Sequence, residues 1–80
     1  MCRINILWED ETGAPQSQAG MLEDRSRSGA GISVRKPIPV GAKVKIVGKR
    51  LDFSGTVRYC RREQFKYLAG ILVDVPQDLG

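Results

Sequence analysis

Asp24, Ser26 and Gly29 stand in the spacing D-x-S-x-x-G, inside the hexapeptide DRSRSG. A carboxylate and a hydroxyl two residues apart can satisfy backbone donors across a tight turn. A glycine three residues later suits such a turn, because it takes positive φ at no steric cost. The sequence therefore predicts a strand-to-strand turn with Gly29 at positive φ and Gly31 giving further backbone room. Arg25 and Arg27 are interleaved with these residues. Their guanidinium groups are planar forks that stack on a base or grip a phosphate. Two chemistries are open on spacing alone: a self-capped turn that needs no ligand, and a cradle for an anionic, planar ligand. Ser26 and Ser28 beside arginines also fit a kinase site, a pattern frequent by chance.

The remaining composition narrows the chemistry. The chain has 80 residues, two cysteines and no histidine. Cys2 and Cys60 form neither a C-x-x-C pair nor a ligand set, which argues against a zinc site and against a Cys-His or Ser-His nucleophile. No catalytic residue, metal or cofactor is expected, and the chain reads as non-enzymatic. Scattered cysteines and no signal peptide or apolar span suit a reducing, cytoplasmic location. Thirteen Lys and Arg against nine Asp and Glu give a net charge of +4, a modest bias toward anionic partners. Lys43, Lys45, Arg58, Arg61 and Arg62 are candidates for a nucleic-acid face on a small barrel. That reading stays an alternative, because Trp8, Phe53, Tyr59, Phe65 and Tyr67 all fall on the parity expected to be buried, leaving no ring to stack on bases.

These residues must be held by strands. RINILWE alternates, with Ile4, Ile6 and Trp8 on one face. DETGAPQSQ reads as a loop and AGMLED as a short strand. AGISVR alternates again. KPIPVG is an extended link turning at Gly41, since its two prolines remove ladder donors. AKVKIVG is a strand, GKR a hairpin turn, and LDFSGTVRYC a long strand with Gly55 at a bulge or barrel corner. RREQ reads as the next turn and FKYLAGILVD as the last strand, with Phe65, Tyr67, Ala69, Ile71 and Val73 inward. Six short strands without a helix predict one all-β domain over residues 1–80, a six-stranded antiparallel barrel with its core in about 3–74, because closure removes exposed edges.

The order of these segments resembles the PilZ domain, a bacterial module known as a receptor for the second messenger cyclic di-GMP. DRSRSG resembles the family's D/N-x-S-x-x-G motif. AGISVRKPIPVGAKVKI and LDFSGTVRYCRREQFKYLAGILV resemble its middle strands and its closing hairpin. The resemblance covers roughly residues 18–74 and implies the same six-stranded barrel. It also implies ligand contacts by Asp24, Ser26 and Gly29, with Arg3, Arg25 and Arg27 as the available cations, and a signal relayed to a protein partner. The family's R-x-x-x-R motif is not found: Arg3 stands alone, with Leu7 four residues after it. Losing one or two charge-assisted contacts at ~1.5–3 kcal/mol each weakens binding by about tenfold to several thousandfold. The alternative within the family is a ligand-independent barrel that works by protein contact alone.

Overall fold

The computed structural model describes residues 2–74. Six strands follow one another: β1 (Cys2–Glu9), β2 (Pro15–Arg25), β3 (Gly29–Val34), β4 (Lys43–Gly48), β5 (Asp52–Glu63) and β6 (Lys66–Val73). They form a closed antiparallel barrel in the order β1-β2-β3-β6-β5-β4, with β4 returning to β1 through pairs such as Ile6 with Ile46. The expected all-β, six-stranded barrel is thus observed, and each of the six strands pairs with two neighbours.

Alternation fills the interior. Ile4, Ile6, Ile32, Val34, Val44, Ile46, Val57 and Ile71 are each at most 3% exposed and share one core. Each such burial is worth about 1.5–3 kcal/mol. The two barrel ends are closed differently. Ile38, carried between Pro37 and Pro39 in the link from β3 to β4, is also buried and plugs one end. Gly41 completes that link at φ 93°, as its turn requires. At the opposite end the Arg25 guanidinium lies 4.3 Å from the centroid of the Phe53 ring. β2 and β5 are not neighbours in the sheet, so this contact spans the barrel mouth.

Several elements depart from the sequence expectation. β2 starts at Pro15, because Pro15 to Gln18 pair with the second half of β1; the expected loop shrinks to a turn capped by Asp10. β5 runs through Arg61, Arg62 and Glu63, and the β5–β6 turn is only Gln64 and Phe65, with Gln64 at φ 52°. RREQ is therefore mostly strand. Gly55 is not a bulge: it pairs regularly with Val44 and Val73. Its hydrogen is required by close approach, since a Cβ there would sit 2.5 Å from the Leu72 carbonyl oxygen.

The register shifts lie elsewhere, between Leu22 and Asp24 against β3 and between Val57 and Tyr59 against β6. Glu23 and Arg58 are the extra residues. A bulge reverses the facing of the residues after it. Tyr59, expected inside, consequently points outward at 49% exposure, while Cys60 packs against the core. Phe65, also expected inside, is 95% exposed at the hairpin tip, beyond the reach of the barrel interior. Tyr67 and Phe53 are partly buried against the core as expected.

Candidate functional site

The β2–β3 turn is built largely by Ser26. Its backbone N–H donates to the Gly29 carbonyl at 2.8 Å, and its Oγ accepts from the Gly29 N–H at 3.2 Å and lies 3.4 Å from the Gly29 oxygen. Serine in this position satisfies the donors that a four-residue reversal leaves open. The Val73 N–H donates to the Ser28 carbonyl at 2.9 Å, which ties the turn to β6. Arg27 and Ser28 form the exposed tip.

Gly29 departs from expectation. It is the first residue of β3, and positive φ among the described glycines occurs only at Gly13 and Gly41. The reversal is made by the serine instead. A Cβ at Gly29 would meet nothing closer than 3.5 Å, so the fold leaves room for a side chain there.

The two bulges act on the same place. Without the first, Asp24 would share the inward face of Leu22. With it, Asp24 pairs with Gly31 on the outer face and Arg25 pairs inward with Ala30. Gly31 pairs with Gly70 on β6, and Gly70 pairs with Tyr59 on β5. The outer row therefore reads Asp24, Gly31, Gly70, Tyr59 across four adjacent strands. The glycines flank inward Ala30, Ile32, Ala69 and Ile71, which are all buried. The Asp24 carboxylate leans over Gly31, where an added Cβ would lie 3.2 Å from Oδ1; the Tyr59 ring covers Gly70 so closely that a Cβ would overlap it. The result is a low shelf in which a carboxylate lies over one glycine and an aromatic ring over the other. Asp24 is exposed, and its carboxylate has no hydrogen bond or ion pair among the described residues.

The structure brings Asp24, Ser26, Gly29 and Arg27 together at this turn. Arg25 does not belong with them: the bulge sends it inward, and its guanidinium is occupied by Phe53. Arg3 also lies apart, on the next outward row, paired with Met21 in a groove that Arg35, Phe65 and Lys66 share. Gly70 and Tyr59 belong to the site and were not singled out as site residues from sequence. A glycine in the middle of the alternating run YLAGILV is the one available signal, while the turning out of Tyr59 depends on a bulge that the sequence does not announce.

The basic residues of the nucleic-acid alternative lie on the adjacent strands β4 and β5, and three of the five have a carboxylate partner. Lys43 is paired with Asp74 at 2.9 Å, Lys45 with Asp52 at 3.9 Å and Arg61 with Glu63 at 3.7 Å. Among the described residues no cluster of three or more His, Cys, Asp or Glu could hold a metal, and no helix is long and apolar enough to cross a membrane. Comparison of the chain with protein-family models, with curated proteins and with solved structures returned no match.

Proposed function

We propose that this chain is a regulatory module of PilZ type that binds cyclic di-GMP on the outer shelf and passes the signal, in the cytoplasm, through a contact with a protein partner. The observation that carries the reading is the convergence of two bulges on one row, with an unpaired carboxylate over Gly31 and an aromatic ring over its cross-strand partner Gly70. Bulges that re-aim side chains concentrate beside functional sites. A guanine edge offers N–H donors, and a free carboxylate accepts them with the strength of a charge-assisted bond. Gly31 and Gly70 seat the Asp24 carboxylate and the Tyr59 ring low on the backbone, and Gly29, where an added Cβ would meet nothing closer than 3.5 Å, lets a flat ring approach the turn beside them. Arg27 at the exposed tip of the turn and Arg61, whose guanidinium lies 5.8 Å from the Tyr59 centroid, are the cations at the two ends of the row, and they take the role of phosphate partner in place of Arg25. Arg3, one outward row away, is the remaining N-terminal cation. The site binds and does no chemistry.

Calorimetric titration with cyclic di-GMP tests this. Heat at micromolar ligand is expected for the wild type, with loss in Asp24→Ala. Binding that survives Asp24→Ala, or an absence of heat up to about 1 mM ligand, a free energy weaker than roughly −4 kcal/mol, overturns the reading.

A further inference from the structure

Phe65 is 95% exposed at the tip of the β5–β6 hairpin. It is the only aromatic ring among the described residues left without a packing partner. Trp8, Phe53 and Tyr67 pack on the core, and Tyr59 lies on Gly70 with Arg61 5.8 Å from its centroid. A two-residue turn gains nothing from a phenylalanine; asparagine and glycine are the usual occupants. An aromatic side chain held fully in water by a short, paired hairpin has the form of an interface anchor.

Beside it lies an open groove of about 490 Å³ on the outer face, lined by Arg3, Met21, Ser33, Arg35, Phe65 and Lys66. Its charge is predominantly positive, with the Glu23 carboxylate as the one acid against its lining. Arg3 and Arg35 have no carboxylate partner among the described residues, and Lys66 is held only loosely by Glu23 at 3.8 Å. Glu23 is turned toward β3 by accepting a hydrogen bond from the Ser33 hydroxyl at 2.8 Å. Cations around one apolar anchor and a methionine floor complement an acidic segment that carries an apolar side chain. A single-stranded nucleic acid fits less well, because stacking sites offer successive rings along the strand and here one ring stands free.

We infer that the β5–β6 tip and this groove are the docking surface for an acidic segment of a partner protein, with Phe65 as its anchor and Arg3, Arg35 and Lys66 as its electrostatic rim. The inference rests on the proposed function only for the existence of a protein partner, and its test uses no cyclic di-GMP, so either can fail alone.

The test is selection from a displayed library of random peptides of about a dozen residues against the full chain, followed by affinity measurement on the selected peptides. Selected peptides should be acidic with one or two large apolar residues. Phe65→Ala should weaken them by about thirtyfold, the loss typical of an interface anchor. Arg35→Glu should weaken them severalfold, more at low salt than at high. Arg50→Glu, in the turn between β4 and β5, should leave them unchanged. Peptides that lack acidic residues, peptides that bind Phe65→Ala as well as the wild type, failure to select any peptide, tighter binding to oligothymidine, or self-association that Phe65→Ala abolishes would each overturn it.

Discussion

The β2–β3 and β5–β6 hairpins are both tight, both basic and both end in exposed residues, yet their tips are built on opposite rules. In the first, the residues that make the turn have local work: Ser26 bonds Gly29 three ways, and Ser28 is tied to β6. What lacks local work there is the missing side chain of Gly29, which has space for one. In the second, the turn is minimal and its surplus is a present side chain, Phe65. An unneeded absence favours close approach by a flat ligand; an unneeded aromatic favours insertion into a partner. On the proposed reading, ligand and partner therefore fall to different hairpins of one barrel. The hairpins are linked through β6, which pairs with β3 beside the shelf and with β5 up to the tip.

The largest effect should come from the strand that supports the second hairpin. Gly55→Ala drives a Cβ against the Leu72 carbonyl oxygen and the Ile71 side chain, at 2.5 and 2.6 Å. A loss of about 1–3 kcal/mol or more in denaturant unfolding is expected, because backbone cannot yield as a side chain tip does. Full stability would mean β5 and β6 are not packed as described.

Next is Ser26→Ala. Removing the hydroxyl leaves the Gly29 N–H to water and should cost about 0.5–1.5 kcal/mol, with faster amide exchange at Gly29. An unchanged exchange rate would show that the backbone alone holds the turn.

Arg25→Ala should cost less, about 0.5–1 kcal/mol, by uncovering Phe53. It should not reduce cyclic di-GMP binding. Loss of binding with unchanged stability would return Arg25 to the site and contradict its assignment to the barrel mouth.

Smallest in stability is Phe65→Ala, expected to stay within about 0.5 kcal/mol of the wild type, as for exposed residues without special roles. A clear loss of stability would make the ring part of the fold.

Acid gives a further check remote from both hairpins. Asp10 has its pKa held below the ordinary 3.8, first by the Thr12 hydroxyl and then by the backbone N–H groups of Ala14 and Thr12. A lowered folded-state pKa adds stability above the unfolded value and loses it as pH falls through the folded value. Thermal unfolding of Asp10→Asn should therefore lie below the wild type at neutral pH, and the gap should close below about pH 4. A gap that persists at lower pH would assign it to something other than the carboxylate.

Most of the barrel was legible because its strands obey a period of two and its links carry proline or glycine. Ile4, Ile6, Val44, Ile46 and Ile71 could be placed inside by counting alone. Counting failed where the register slips. Tyr59 shares parity with Val57 in the sequence and leaves it in the fold because Arg58 is inserted between them against β6. The same happens to Asp24 after Leu22. Phe65 failed for another reason: it keeps the parity of the inner face but lies past the barrel's end, where that face has no interior. At the candidate site, the turn and its serine were legible from spacing. The row with Gly70 and Tyr59 was not, since it joins residues from four strands, two of them displaced by bulges. The inward facing of Arg25 over Phe53 was not legible either, because it too depends on the bulge at Glu23.

The central claim is that Gly29, beside the Asp24 carboxylate, is kept open for cyclic di-GMP and not for the fold. Thermal unfolding of the wild type and of Gly29→Val, each with and without excess cyclic di-GMP, tests both halves together. Valine is at home in a strand and can be accommodated at this outward position. The two proteins should unfold at closely similar temperatures without ligand, and cyclic di-GMP should raise the midpoint of the wild type alone, by the roughly 2.7 kcal/mol that ligand at a hundredfold excess over Kd supplies. No rise in the wild type, or an equal rise in Gly29→Val, would contradict the account.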